Sequence, residues 1–288
     1  MPPVIEAPCP SCNKGAACRF GTGSLFRCGD CDLIFLSPQP DDAELAALYG
    51  EGYYHSWGDV GAADGYWPLK RALYTSLIQR VELPPAGARI LDVGCATGAC
   101  LEVATEQGWE AHGVDVNPYA VRVAAQRVPT AHLHQGTLEA AGLTPASFHL
   151  IILSDVLEHS RTPWALLKTV TSLLVPGGQA VIVTPNIGSW SATFLGRVWP
   201  HFKREHLTLF GYSGLRRAIE SSGMELVGIA PMPKAMTVAY AAHQLASYPL
   251  PGATQLVKAA ARLLPHRMRE WIINIHMGEM IAITRRVG

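Results

Sequence analysis

The sequence predicts an α/β protein whose main body is a parallel sheet covered on both faces, preceded by a small metal-stapled module. Three observations predict it. From Ala88 onward, short apolar strands alternate with helical stretches of ~10–15 residues, the pattern of βαβ units. A glycine turn, Gly94 to Gly98, follows the first of these strands and opens a helix, and Asp115 ends the second strand. Ahead of them stand two Cys-x-x-Cys pairs, Cys9/Cys12 and Cys28/Cys31, fifteen residues apart.

The cysteine spacing is that of a four-cysteine zinc site. Each pair turns tightly, so two thiolates face one point, and Gly29 lets the second pair turn. Protein would fill all four positions, so the zinc is expected to be structural. A ribbon this small has almost no core, and the metal would supply most of its folding free energy. Two other readings compete. A disulfide pair is disfavoured because MPPVIEAPCPSC lacks the basic flank and apolar stretch of a secretory leader. Redox chemistry usually places a single Cys-x-x-Cys beside a βαβ unit. Cys18, Cys95 and Cys100 have no metal-site spacing.

The organisation follows in order. Residues 1–36 read as the ribbon, and Ser37-Pro38-Gln39-Pro40 breaks the chain. Asp41 and Asp42 cap the amphipathic stretch ELAALYG. Residues 49–67 hold Tyr49, Tyr53, Tyr54, Trp57, Tyr66 and Trp67, and a helix is expected from Leu69 to Val81, so residues 37–85 form a helical aromatic lid. Residues 86–288 are the main domain. Its strands are ARILDVG, WEAHGVDV, AHLHQG, FHLIILSD and GGQAVIVTPN; after the helix YSGLRRAIESSG come MELVGIAPM and GEMIAITRR. Two insertions, near 185–210 and 232–276, interrupt it; the first reads as a long loop and the second has helical texture.

Composition excludes several classes. The apolar share of 49% is too high for a disordered chain. No apolar run reaches the ~18–20 residues of a membrane span, so a cytoplasmic enzyme is expected. Lys and Arg number 23, as do Asp and Glu, which argues against a protein that grips long nucleic acid. The charge is uneven: residues 1–200 carry 12 basic and 18 acidic side chains, and residues 201–288 carry 11 and 5.

At the glycine turn the backbone can approach a ligand closely, and the helix N-terminus offers N–H groups. Asp115 suits a ribose diol. Dinucleotide binding is the rival reading, but Ala96 and Ala99 occupy the second and third glycine positions of G-x-G-x-x-G, and the second is where a pyrophosphate needs bare backbone. Asp92, just inside the turn, better fits a cationic amino-acid cofactor.

LDVGCATG followed by GVDVNP resembles the class I S-adenosylmethionine (SAM)-dependent methyltransferases, whose usual turn is LDVGCGTG. FHLIILSDVLEH, LLVPGG and GEMIAITRR continue the resemblance over residues 86–288, and the four-cysteine ribbon resembles a branch that carries a zinc module. The resemblance implies a Rossmann-like seven-stranded sheet of order 3-2-1-4-5-7-6. It also implies that Asp92, Gly94, Cys95, Ala96 and Gly98 cradle the methionine end of SAM. Asp115 would hold the ribose, with Val116 and Asn117 along the adenosine. Thr137 and Leu138 would neighbour the adenine, and Ser154 and Asp155 the sulfonium. In this family the preceding helices close over SAM, which makes Tyr53 and Tyr54 candidates for the pocket; packing between ribbon and domain is the alternative.

The chemistry needs an aligned nucleophile and, for oxygen, a base. His159 and His206 are the candidates, with Asp155 beside the reacting centre. If residues 155–159 begin a helix, then Asp155, Glu158 and His159 share a face, and His206 would complete a set able to bind Mg²⁺ or another divalent ion. That set is similar to the acid-x-x-Glu-His arrangement of ubiquinone-biosynthesis O-methyltransferases and of small-RNA 2′-O-methyltransferases. A non-metal pocket role and a purely structural one are the alternatives. The two insertions would roof the acceptor. They bring basic residues (Lys203, Arg204, Arg216, Arg217, Lys258, Arg262, Arg267 and Arg269) suited to an anionic acceptor, to peripheral membrane contact, or to a solvated face. The expectation is methyl transfer to a small molecule, most readily on oxygen, in metabolite, quinone or glycolipid biosynthesis. An RNA methyltransferase that uses its ribbon on RNA and a SAM-fold protein with a non-methylating role are the rivals.

Overall fold

A computed structural model of the chain describes residues 4–5, 9–10, 12, 17–20, 24–48, 66–81, 87–247, 252–269 and 271–288. Tyr49, Tyr53, Tyr54 and Trp57 lie outside the described residues. Four short strands come first: β1 (Val4–Ile5), β2 (Ala17–Arg19), β3 (Leu25–Cys28) and β4 (Ile34–Leu36). Helix α1 (Asp42–Leu48) starts on a reciprocal cap. The Glu44 N–H donates to Asp41 Oδ1 at 2.8 Å, and the Asp41 N–H donates to Glu44 Oε2 at 3.1 Å. Helix α2 spans Tyr66–Ile78.

The α/β alternation begins at β5 (Arg89–Val93), α3 (Ala99–Glu106), β6 (Glu110–Asp115) and α4 (Pro118–Arg127). It continues through β7 (His132–Gln135), β8 (Phe148–Ser154), α5 (Pro163–Leu173) and β9 (Leu174–Pro185). Then come α6 (Trp190–Leu195), β10 (Thr208–Leu209), α7 (Tyr212–Ser221) and β11 (Met224–Met236). Helices α8 (Val238–Ser247), α9 (Ala253–Leu263) and α10 (His266–Arg269) lead to β12 (Ile273–Arg286).

Seven strands form the main sheet in the order β11-β12-β9-β8-β5-β6-β7. Counted from β5 within that sheet, the order is 3-2-1-4-5-7-6. Strands β7, β6, β5, β8 and β9 are mutually parallel, and β12 enters antiparallel between β9 and β11. The central strands read as apolar runs because both faces are covered: Leu150, Ile151, Ile152 and Leu153 are all buried. One core lies against α2, α3 and α4, around Leu77, Cys100, Leu101 and Ile152. The other lies against α5 and α7, around Ile151, Leu167, Phe210 and Ile219.

The ribbon shares that second core rather than owning one: Phe26, Leu33 and Phe35 belong to the same cluster as Phe210 and Leu215. The region expected as a loop at 185–210 is more structured than its sequence suggests. It holds α6 and β10, and β10 pairs antiparallel with β4 (Thr208 opposite Phe35, Leu209 opposite Ile34), so the N-terminal sheet has five strands. Further ties hold the ribbon in place. Ser213 Oγ donates to Asp32 Oδ2 at 2.8 Å, and Arg217 donates to the Asp30 carbonyl. Arg161 fixes the segment just after the ribbon, donating to Gln39 Oε1, the Pro40 carbonyl and Asp42 Oδ1. Among the described residues no helix is long and apolar enough to cross a membrane.

Gly113, on β6, sits where a Cβ would meet Cys95 Sγ at 2.8 Å and Leu101 Cδ1 at 2.9 Å. Gly113→Ala should destabilise the domain by about 1–3 kcal/mol through overpacking, read as a lowered urea midpoint; an unchanged midpoint would mean that the turn behind it yields freely.

Candidate active site

A cavity of about 1160 Å³ opens beyond the carboxyl ends of β5, β6 and β8, where open parallel sheets place their ligands. Its first end is made by backbone. Gly94 has φ 72°, and a Cβ there would come within 2.7 Å of Val156 Cγ2, so glycine is required. Ala96 also holds a left-handed φ of 46°, which costs a non-glycine residue about 1–2 kcal/mol. That conformation aims its N–H at Asp115 Oδ2 (2.9 Å), while Asp115 Oδ1 accepts the Asn117 N–H at 2.8 Å. Each carboxylate oxygen thus accepts a backbone N–H, and a carboxylate is an acceptor-only group suited to hydroxyl donors. Asn117 caps α4 by accepting from the Tyr119 N–H at 2.8 Å, ahead of Pro118.

Gly94, Ala96, Asp115, Val116, Asn117, Thr137, Leu138, Ser154 and Asp155 all line this cavity. Asp92, Cys95 and Gly98 do not; they lie behind the wall and shape the turn. Asp92 is buried, neither carboxylate oxygen has a hydrogen-bond partner among the described residues, and burial with the Asp115 charge raises its pKa to about 8. Ser154 Oγ is likewise buried without a partner. A wall of bare backbone, an acceptor-rich carboxylate and orphaned polar atoms fit SAM, whose ammonium and hydroxyls are donors.

The other end holds three histidines. His159 Nδ1 lies 2.9 Å from the Glu205 carbonyl, and His206 Nδ1 lies 2.8 Å from the His201 carbonyl. A carbonyl only accepts, so both Nδ1 atoms carry the proton and both Nε2 atoms are lone-pair acceptors. The two rings meet edge to face with centroids 4.8 Å apart. Burial lowers the pKa of His159, pulls His206 well below the usual imidazole range and takes His201 to about 3. His201, 4.0 Å from Glu279, is therefore neutral near pH 7 and forms no ion pair. Lys234 Nζ contacts Glu279 Oε1 at 2.8 Å; burial works against its charge, but Glu279 and Asp155 raise its pKa. Burial also opposes the charge of Asp155, yet Lys234 and Lys70 hold it ionised, with its pKa lowered.

Residues 155–159 do not begin an α-helix. Asp155 is left-handed, with φ 56°, and Leu157–His159 form a single 3₁₀ turn. The left-handed residue swings Asp155 out of register, so the potential metal ligands that converge within 4.8 Å are Glu158, His159 and His206, without Asp155. Glu158 is fully buried; Oε2 accepts from Thr184 Oγ1 at 2.9 Å and Oε1 has no partner among the described residues, while burial raises its pKa. Two imidazoles and a carboxylate could hold a divalent ion.

The basic roof is also corrected. Of the eight basic residues singled out in the sequence, only Lys203 lines the cavity, and burial lowers its pKa. Arg204 pairs with Glu44 at 3.1 Å and Arg216 with Glu220 at 3.7 Å, while Arg217 holds the ribbon. Tyr66 lines the cavity, but Trp67 turns away: it donates to Glu102 Oε2 at 3.0 Å and stacks under Arg127 at 3.9 Å. His201, Lys234 and Glu279 were missed. Glu279 carried a signal, a charge inside the apolar strand MGEMIAI; the other two had none.

The four N-terminal cysteines converge as spaced: Cys9 and Cys31 sulfurs lie 3.5 Å apart, Cys12 and Cys28 sulfurs 3.6 Å apart, and all four within 4.8 Å. Tetrahedral zinc with Zn–S of ~2.3 Å requires sulfurs about 3.8 Å apart, so the cluster fits the ion. Thiol crowding against Cys9 and burial raise the Cys31 pKa strongly, which a bound cation would reverse.

A methyltransferase-domain family profile matches residues 59–229, which stops before α8, α9 and α10. A ubiquinone biosynthesis O-methyltransferase of Xanthomonas axonopodis pv. citri is 27% identical over 190 residues, covering 61% of this chain and 78% of the relative. Among solved structures, the [4+2]-cyclase SpnF superposes with a TM-score of 0.61 at 17% identity, over 87% of this chain and 98% of that one. Haemonchus contortus phosphoethanolamine N-methyltransferase 2, solved with S-adenosyl-L-methionine, does so at 0.58 and 15%, over 88% and 62%.

The buried histidines set an acid limit on stability. Each has a folded pKa below 6.5, so the unfolded chain binds more protons, and folding stability falls as pH drops below about 6.5. His201→Gln should flatten the fall between pH 6.5 and about 3, measured by urea unfolding against the unaltered protein at each pH. Parallel curves would show that His201 is not buried neutral.

Proposed function

The chain belongs to the methyltransferase-domain family and is a SAM-dependent methyltransferase; from that premise we propose that it methylates a hydroxyl oxygen of a small-molecule acceptor. One observation carries the reading: two histidines at the far end of the cavity are fixed as neutral Nε2 acceptors. An oxygen nucleophile must lose a proton as it attacks, and a positioned imidazole lone pair takes it. SAM supplies a methyl group already activated on a sulfonium.

In this reading Asp92, Gly94, Cys95, Ala96 and Gly98 shape the cradle for the methionine end of SAM. Asp92 stands behind it, its pKa raised to about 8 by burial and Asp115, and the ammonium brings it back to its ionised form when SAM binds. Asp115 takes the ribose hydroxyls, Val116 and Asn117 border the adenosine, and Thr137 and Leu138 the adenine. Ser154 and Asp155 stand at the junction with the acceptor. His206 and His159 share the proton, and Lys234, held by Glu279, keeps Asp155 ionised. Residues 1–36 act as a structural zinc ribbon through Cys9, Cys12, Cys28 and Cys31, residues 37–85 as the lid and residues 86–288 as the catalytic domain. The acceptor class that best matches the relatives' printed name is a hydroxylated ring of the quinone type.

Asp115→Ala should weaken SAM binding by tenfold or more in calorimetry, while His206→Ala should leave it within about twofold and lower kcat by roughly 10²–10⁴. Loss of SAM affinity in His206→Ala would overturn the division of the cavity. Turnover insensitive to chelators supports the imidazole base; turnover that needs Mg²⁺ and is abolished in Glu158→Gln would replace it with a metal held by Glu158, His159 and His206. Cys28→Ser should release zinc, counted by metal analysis, and lower the melting temperature; a protein with no zinc to release would refute the ribbon.

A further inference from the structure

Helix α9 wears its apolar residues on the outside. Leu256 is 73% exposed and Leu263 84% exposed, seven positions apart, and exposed Ala259 lies between them on the same stripe. The opposite side holds buried Thr254 and half-buried Val257, Ala261 and Leu264. A helix that faces only water places polar residues there. The exposure continues through α10 and beyond it: Met268 and Ile272 are nearly half exposed and Trp271 is 70% exposed. This run, residues 252–276, carries Lys258, Arg262, Arg267 and Arg269 against one acid in the sequence, Glu270.

We propose that α9, α10 and the start of β12 dock the enzyme on an anionic lipid bilayer. Protruding Leu, Met and Trp side chains flanked by cations are the pattern of an interfacial segment, with the apolar residues entering the acyl boundary and the cations meeting the headgroups. A second copy of the chain is disfavoured, because a two-fold contact would set one cationic rim against the other. The surface adjoins the cavity. Helix α8, which packs on α9, contributes Tyr240, Ala241 and Leu245 to the cavity wall, and Ile275 of β12 lines it directly. An acceptor partitioned in the bilayer would thus enter beside the histidines, a consequence that rests on the methyl-transfer reading. The docking itself does not.

Flotation on phosphatidylcholine vesicles with and without phosphatidylglycerol tests it. The unaltered protein should float with the anionic vesicles, be released by salt, and bind the neutral ones at least about tenfold more weakly. Leu263→Asp combined with Trp271→Asp, and separately Arg262→Glu with Arg267→Glu, should each weaken flotation about tenfold or more. SAM calorimetry on the same samples reports an intact fold and isolates any failure of the methyl-transfer reading. No flotation of the unaltered protein, or equal flotation of the variants, would overturn the proposal. So would a vesicle-free dimer in sedimentation that Leu263→Asp dissolves, since the stripe would then face a second copy.

Discussion

The Asp115 carboxylate ties together the two turns that build the glycine-turn end of the cavity. One oxygen receives the Ala96 N–H from the turn after β5, and the other receives the Asn117 N–H at the start of α4. Because both donors are backbone, the carboxylate sets chain path rather than side-chain position. It also offsets the cost of a left-handed alanine at 96, which a neutral side chain could not do as well. Charge-assisted bonds of this kind are roughly twice as strong as neutral ones.

At the histidine end the constraint comes from far away in sequence. β10 is hydrogen-bonded to β4 of the ribbon, and His206 stands two residues before β10. Thr208 Oγ1 donates to the carbonyl of Leu157, the first residue of the turn that carries Glu158 and His159. The ribbon's Leu33 and Phe35 complete the core beneath Phe210. The small module therefore braces the strand that delivers one histidine to the other, and its own lack of a core is met by sharing.

The fold was legible from periodicity because the parallel strands are buried on both faces, and that burial forces continuous apolar runs. The glycine turn was legible because Gly94 has no alternative at its φ and its distance from Val156. The loop at 185–210 was misread because Thr208-Leu209 is too short to show alternation; its strand character exists only through β4. The helix expected at 155–159 failed at Asp155, where a left-handed residue ends β8 abruptly. Nothing local in the sequence announces a positive φ at an aspartate.

The sequence by itself determined the parallel sheet, the cysteine cluster, the glycine turn and the acid that faces it, since each depends on residues close together or on a repeating period. Only the tertiary structure decided which charges meet. Lys234 and Glu279 come from two strands and Asp155 from the turn after a third, and His201 and His206 join His159 across a long connection. It also decided that four of the basic residues expected over the acceptor lie instead beside an exposed apolar stripe. Their partners are fixed by which helix faces turn inward, and that depends on the packing of the whole domain rather than on any stretch of the chain.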